Sequence, residues 1–193
     1  ESVRWYLLKD ISLGSDGDFQ SRRFVDIINN DLANTIGNLL NRTTSMSRKW
    51  FNNQTPSVSD KNNNEIIKLA NNSIKNYLIY FDNYKIDKAS NEILNFAINV
   101  NLYLNKKEPW SLIKDDKNIN EVKLIIYNVL EATRIIGTII KPILPELSTK
   151  ILNQLGENDN KNKDWVERLK WGLLPESSDL PKPVPIMNKL DYE

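Results

Sequence analysis

The sequence predicts an all-α bundle with an extended, proline-rich tail, and three features lead to that prediction. Apolar residues recur mostly three and four positions apart, which is the spacing of an amphipathic helix. Glycine and proline, with 6 and 8 residues among 193, are sparse until the last third of the chain. A hydrophobic fraction of 40% supplies a core of ordinary size. Because the chain has no internal repeat of fixed period, these helices are expected to form one bundle.

The N-terminal part is predicted to contain a short helix and a long one. The short helix covers residues 2–10 and runs into a turn-rich segment, where glycines supply the bends. Residues 20–50 then show a long helical pattern with one apolar stripe. Gly37 lies inside this pattern at a cost of about 1 kcal/mol relative to alanine. We therefore expect a close contact with another helix at Gly37.

Two further long helices are predicted after a polar loop over residues 52–64. They cover residues 65–82 and 87–107. The second of them stops near Pro109, because a residue that precedes proline is disfavoured in the helical conformation. The chain is therefore expected to change direction at this proline.

The last third of the chain carries a long helix, a short helix and the tail. The long helix covers residues 118–141, and Asn118 with Glu121 has the spacing of a capping box. Pro145 suits the first turn of the short helix, and Gly156 closes it.

The polar residues 159–163 are expected to be mobile, and the proline-rich stretch after Trp171 is expected to be extended. The resulting division is a segment over residues 1–19, a bundle over 20–172 and a tail over 173–193.

The composition makes several classes of function improbable or excludes them. With no cysteine and no histidine, the chain lacks disulfides, thiolate ligands, the commonest general base and the commonest transition-metal ligand. No metal site is expected. No apolar run reaches the roughly 20 residues of a membrane helix. The net charge of +1 gives no bulk attraction to a polyanion, so any binding of nucleic acid must use a local patch.

Five groups of short strings occur in the order and spacing that one family shows. They are RWYLL at 4–8 with GSDGDF at 14–19, DLAN at 31–34 with GNLLNR at 37–42, EPW at 108–110 with Lys114, KPILP at 141–145, and WGLLP at 171–175. Together they resemble the methionyl-tRNA synthetases, over nearly the whole chain. The resemblance implies the helix bundle with which class I synthetases bind an anticodon.

The catalytic strings of that family do not occur in this sequence. These are the HIGH-type and KMSKS-type strings, which the family uses for ATP and the aminoacyl-adenylate. The resemblance therefore implies that residues 1–19 connect the bundle to a catalytic domain, and that this part of the enzyme is not itself catalytic. The parent enzyme would use ATP and methionine, whereas this part is expected to need no cofactor.

The chemistry of three polar residues suits an unpaired base. Asn34, Asn38 and Arg42 are spaced four apart, so a regular helix would place them on one face. Amide and guanidinium groups one turn apart offer several donors and an acceptor, which suits the edge of a base better than a phosphate. Proteins read single-stranded RNA loops in this way, with splayed bases stacked on aromatic rings. Trp110 is a candidate ring, and Pro109 fixes where its indole points.

The family resemblance implies that Asn38, Arg42 and Trp110 converge on the CAU anticodon, with the first base stacked on the tryptophan. One position departs from the family pattern. The family commonly has an acidic residue five places before the tryptophan, and this chain has Asn105 there. Discrimination by a negative charge at that position is therefore not expected here.

A basic set flanks the same two elements and is a candidate for contacts with the phosphates of the anticodon stem. The alternative interpretation is an ordinary solvated helix face. The set consists of Arg48, Lys49, Lys106, Lys107 and Lys114.

Three functions remain open at this point. The first is the anticodon domain of a methionyl-tRNA synthetase, which implies two partners: the anticodon stem-loop of tRNA(Met) and the catalytic domain of the same enzyme. The second is the corresponding bundle of a related synthetase for leucine, isoleucine, valine or cysteine. The third is a helical module that binds protein and no RNA, which the near-zero net charge favours. A cytoplasmic location, bacterial or organellar, is expected.

Overall fold

The structure is a computed structural model that describes residues 1–59, 64–157 and 164–192. In these residues it has eight α-helices and no β-strand, which confirms the predicted all-α bundle. Part of the predicted loop at 52–64 and all of the polar segment at 159–163 lie outside the described residues. The helices are α1 Ser2–Asp10, α2 Ser21–Ile27, α3 Asn38–Trp50, α4 Asn64–Asp82, α5 Ile86–Lys107, α6 Pro109–Leu112, α7 Ile119–Ile139 and α8 Pro145–Gln154.

Helix α7 lies at the centre of the bundle. It contacts α3, α4, α5, α6 and α8, and every residue from Ile125 to Ile139 is buried. Seven of the fifteen residues from Ile125 to Ile139 are isoleucine, leucine or valine, which supplies apolar surface on more than one face of the helix. The long helices around it, α3, α4 and α5, pack apolar residues toward the core.

Two charged residues of α7 are buried, and they hold the chain that leads into the tail. Arg134 donates to both carboxylate oxygens of Glu131, at 2.9 and 2.7 Å. Burial by itself lowers the pKa of Arg134, but the hydrogen bonds and charge of Glu131 outweigh it, so the net pKa is raised and the guanidinium keeps its charge. Arg134 also donates to the carbonyls of Arg168 and Lys170. Glu131 accepts from the backbone N–H groups of residues 172, 173 and 174.

The long helix predicted over residues 20–50 is continuous but not regular. Residues Ile28–Gly37 between α2 and α3 form a π-helical segment, in which the N–H of Asn38 donates to the carbonyl of Ala33, five residues earlier. The buried carboxylate of Asp31 lies within this segment and accepts from the indole of Trp5 at 2.9 Å and from Lys9 at 2.6 Å. These contacts with α1 are tertiary, so helical periodicity alone could not predict the π segment. Such segments are rare and often lie at functional sites.

Two local predictions are wrong in detail. A Cβ added to Gly37 would lie 3.1 Å from the carbonyl oxygen of Leu32 in the same helical run and 3.5 Å from Cγ1 of Ile186, so the element that packs on Gly37 is the tail and not another helix. Asn118 precedes α7 as predicted, but its side chain makes no capping hydrogen bond. The reason is a 3-10 turn, Asp116–Asn118, which gives Asn118 a ψ near 0° instead of the extended backbone of an N-cap.

The tail is extended and packs along the outside of the bundle, as predicted. Its side chains Leu174, Leu180 and Ile186 are buried. The tail forms one isolated antiparallel bridge, between Asp179 and Gln54. At the other end of the chain, α1 buries Trp5 completely in the same core. The segment before the bundle and the tail after it are therefore both packed against the helices.

Candidate nucleic-acid interface

The chain turns sharply between α5 and α6, and this turn presents Trp110. Glu108 adopts a left-handed conformation, with φ 44° and ψ 53°, and Pro109 follows at the first position of α6. A residue other than glycine rarely adopts this conformation unless its surroundings enforce it. Pro109 is buried, whereas 37% of Trp110 is exposed. The buried proline therefore fixes a half-exposed indole at the surface, as stacking on a base requires.

Arg42 of α3 meets both Trp110 and the end of α5. Its guanidinium carbon lies 5.7 Å from the centroid of the Trp110 ring, and its Nη2 donates to Oδ1 of Asn105 at 3.0 Å. The structure thus brings two of the predicted residues together at one corner of the bundle. It adds Asn105, which sequence reasoning treated only as a departure from the family pattern. Asn105 holds the arginine as a neutral acceptor, so the charge of Arg42 is not cancelled there.

The face predicted for Asn34, Asn38 and Arg42 consists of two adjoining surfaces. Arg42 is directed toward α5, whereas Asn34 and Asn38 are exposed and line a groove between α3 and the tail. The single face assumed a regular α-helix, but Asn34 lies in the π segment, where the angular spacing of side chains differs. Asn38, one turn before Arg42, lies between the two surfaces. Asn41 also lines the groove and was not among the predicted site residues, although it lies only three positions after Asn38.

The five basic residues predicted to flank this corner differ in whether they already have a partner. Lys106 pairs with Glu65 of α4 at 3.0 Å, and the ammonium of Lys107 lies 5.8 Å from the ring of Tyr103. The remaining members of the set are exposed and have no ion-pair partner within the described part of the chain; they are Arg48, Lys49 and Lys114. These three are the members best placed to meet a phosphate.

The chemistry at this corner suits recognition. A ring, a guanidinium group and several amides offer stacking and hydrogen bonds to base edges. In residues 1–59, 64–157 and 164–192, no group of three or more acidic, cysteine or histidine side chains is arranged to hold a metal ion. Of the helices in those same residues, none combines the length and the apolar character needed to cross a membrane.

The all-α bundle agrees with the helix bundle that the sequence strings predicted for the anticodon-binding part of a class I synthetase. Comparison with protein families gives two matches that follow one another along the chain. Residues 55–192 match the anticodon binding domain of methionyl tRNA ligase. Residues 1–44 match the class I tRNA synthetases of the methionine type. The chain belongs to the family of anticodon-binding domains of methionyl-tRNA ligases.

Individual relatives agree with this assignment. The chain is 33% identical to a methionine–tRNA ligase of Nostoc over 99% of its length, and 34% identical to one of Thermotoga maritima over 98%. It spans 37% and 30% of the length of these two relatives. The free-state crystal structure of Mycobacterium tuberculosis methionyl-tRNA synthetase superposes on the whole chain with a TM-score of 0.91 at 26% identity, and the match covers 39% of that structure. Of the three functions left open by the sequence, these matches select the first.

Proposed function

We propose that the chain binds the anticodon loop of tRNA(Met) and reads CAU. In this proposal the first base stacks on Trp110, while Asn38 and Arg42 hydrogen-bond to base edges. The observation that carries the proposal is the meeting of Trp110, Arg42 and Asn105 at one exposed corner, although Arg42 and Asn105 are 63 residues apart in sequence.

The contacts of Arg42, and the N–H donors that they leave free, support a role in reading bases. A guanidinium group has five N–H donors in a rigid plane, and the described contacts use one of them, for Asn105. The others remain available to an acceptor on a base. Because Asn105 and the Trp110 ring already restrain this long side chain, little further rotamer entropy is lost when it binds RNA. The arginine is therefore positioned before the ligand arrives.

The charge distribution supports a mode of binding that depends mainly on local contacts. With a net charge of +1, non-specific attraction to RNA is weak. Arg48, Lys49 and Lys114 are the candidates for phosphate contacts. Each such contact steepens the slope of log affinity against log salt concentration by about 0.7 to 0.9. Specificity must come from the Trp110–Arg42 corner.

The proposal extends to the longer enzyme of which the relatives are examples. There, a catalytic domain would attach methionine to the tRNA with ATP, and this bundle would supply the anticodon contact without a catalytic group or cofactor of its own. The similarity to bacterial ligases supports a cytoplasmic location, bacterial or organellar.

The test is binding of the 193-residue chain to two anticodon stem-loops that differ only in the first anticodon base, CAU and GAU. We expect CAU to bind more tightly by about 1–3 kcal/mol, the usual value of a base contact. Arg42→Ala should weaken CAU binding, whereas Tyr84→Ala, which removes an exposed aromatic ring at the opposite end of α5, should not. Equal affinity for both loops would contradict anticodon reading. No binding of either loop at low salt, where phosphate contacts are strongest, would contradict RNA binding by this chain on its own.

A further inference from the structure

The π segment, Ile28–Gly37, runs directly into α3, the helix that carries Arg42. Its hydrogen bonds span five residues instead of four, so a π turn holds about one residue more than an α turn. In an α-helix with 3.6 residues per turn, one residue corresponds to a rotation of about 100°. Side chains after the segment therefore point in another direction than a continuous α-helix would give them. The direction of Arg42 depends on the π segment.

Asp31 lies within the π segment, and its side chain is held from α1. The indole N–H of Trp5 donates to Oδ2 of Asp31 at 2.9 Å, and the ammonium of Lys9 donates to the same oxygen at 2.6 Å. Both Trp5 and Asp31 are buried. A rotation of this segment would separate Asp31 from its two partners and leave a buried charge unpaired, which is strongly unfavourable. The contacts with α1 therefore hold the π segment in one register.

The other end of the π segment is held from α5. The side-chain amide of Asn101 donates to the carbonyl of Thr35 at 3.3 Å. The hydroxyl of Thr35 donates to the carbonyl of Asn30, five residues earlier, at 2.7 Å, which is the π spacing. One turn after Asn101, Asn105 accepts from Arg42. Helix α5 therefore contacts both the end of the π segment and the arginine that follows it, and a rotation between them would break the second contact.

Helix α1 is also anchored at its beginning, by the turn before α8 and by α8 itself. The carboxylate of Glu1 accepts from the backbone N–H groups of Glu146 and Leu147, at 2.6 and 2.8 Å. Arg4 donates to the carbonyl of Ile143 at 3.4 Å. A short helix that is fixed at its first turn gives Asp31 a rigid partner.

We propose that Asp31 is a positioning residue for anticodon reading. Held by Trp5 and Lys9, it keeps the π segment in the register that directs Arg42 toward Trp110. The inference rests on the proposed function, because the direction of Arg42 affects binding only if this arginine contacts the anticodon loop. Asp31 is buried, so it acts through the helix and not by touching RNA. Helix α1 then supports the candidate site in addition to connecting it to the rest of the enzyme.

The first test is a double-mutant cycle between Asp31→Ala and Arg42→Ala in the 193-residue chain, with affinity for the CAU stem-loop as the readout. We expect Asp31→Ala alone to weaken binding by about two- to tenfold, the cost of ordering a long side chain that is no longer directed. In the Arg42→Ala background, the same substitution should cost less than about twofold, because the residue it positions is absent. A role in stability alone would instead give additive losses.

The second variant, Trp5→Phe, keeps the carboxylate and its Lys9 partner and removes only one donor to Asp31. It should weaken binding of the CAU stem-loop by at least about twofold, with the same lack of additivity. Trp165→Phe is the matched control, because it also removes one indole N–H, which donates to the carbonyl of Thr138 on α7 at 2.8 Å. It should bind as the parent chain does. Circular dichroism would establish which variants are folded at the assay temperature.

The outcomes separate this inference from the proposed function. If the parent chain prefers CAU over GAU, but Asp31→Ala and Trp5→Phe bind normally or add fully to Arg42→Ala, the positioning role is overturned and anticodon reading stands. Equal losses for Trp5→Phe and Trp165→Phe would also overturn it. If Asp31→Ala is not folded, the cycle with Trp5→Phe decides. If the parent chain has no preference between the two loops, the proposed function fails and this inference fails with it.

Discussion

At the scale of single residues, the informative feature is how Arg42 is held. Its partners are an amide and a ring, so its positive charge is oriented without being neutralised. A cation over an aromatic ring at an exposed site contributes about 0.5–1 kcal/mol, so the arrangement adds little to folding. Its value lies in the orientation it gives to the remaining N–H donors.

Asn105→Ala tests this orientation, because it removes the acceptor and leaves Arg42 free to sample other rotamers. We expect affinity for the CAU stem-loop to fall by a few fold, less than for Arg42→Ala, because ordering one long side chain costs about 0.5–1.5 kcal/mol. Isothermal titration calorimetry would measure the effect. Asn99→Ala, which removes an exposed asparagine two turns earlier on α5, is the control and should bind normally. Unchanged affinity for Asn105→Ala would show that Asn105 does not position the arginine.

The residues at this corner could be predicted from the sequence only in part. Trp110, Pro109 and Arg42 could be predicted as candidates because their strings match the family, and the proline also fixes the backbone locally. Asn41 was not, since an exposed asparagine has no pattern of its own. The groove that Asn41 lines exists only because the tail returns to Gly37, a contact between positions almost 150 residues apart.

At the scale of elements, α7 and the tail depend on one buried ion pair. Both side chains are essentially inaccessible, at 0% for Glu131 and 1% for Arg134. Their remaining hydrogen-bonding groups are used by the backbone between residues 168 and 174. A buried pair with satisfied hydrogen bonds is not necessarily more stable than an apolar pair, but removing one partner leaves an uncompensated charge. The pair therefore fixes the position of the backbone between residues 168 and 174, where the tail begins.

Glu131→Gln is expected to destabilise the chain by about 3–5 kcal/mol, because it leaves Arg134 charged and buried with only the longer contact to Glu157, at 3.9 Å, to offset its charge. Urea denaturation followed by circular dichroism would measure the free energy of unfolding. Glu167→Gln is the matched control, because Glu167 makes an exposed pair with Lys170 at 3.9 Å. Pairs of that kind contribute only about 0–1 kcal/mol. Equal effects of the two substitutions would contradict the structural role given to the buried pair.

The elements themselves were largely predictable, and the two exceptions have different causes. The long helices follow from a 3.6-residue apolar period, and their ends from prolines and glycines, which act locally. The π segment contains Asp31, whose contacts with Trp5 and Lys9 local periodicity does not specify. The missing cap at Asn118 has a local reason: Asp115 accepts from the N–H of Lys117 and begins a 3-10 turn just before α7.

At the scale of the whole molecule, the absence of histidine has a consequence for pH dependence. No side chain in the sequence has an ordinary pKa close to 6.5. The hydrogen bond from Arg23, helped by its charge and that of Lys9, holds the pKa of Asp10 below its ordinary value. A carboxyl group with a lowered pKa contributes stability above its unfolded pKa, and this contribution is lost as the pH falls through the folded value.

We therefore expect the free energy of unfolding to vary little between about pH 6 and 8, and to fall in acid, below the ordinary range of aspartate. Urea denaturation at a series of pH values would test this. Asp10→Asn should reduce stability at neutral pH and make the acid loss smaller, because the group that titrates has been removed. A steep change in stability near pH 6.5 would contradict this account.

The most direct test of the central claim is a double-mutant cycle between Trp110 and the first anticodon base. Four affinities are needed: the parent chain and Trp110→Ala, each with a CAU stem-loop that keeps or lacks the first base. If that base stacks on Trp110, either change alone should weaken binding by about 1–3 kcal/mol, and the second change should then add almost nothing. If the two losses simply add, Trp110 and the first base do not touch, and the proposed reading of the anticodon is wrong.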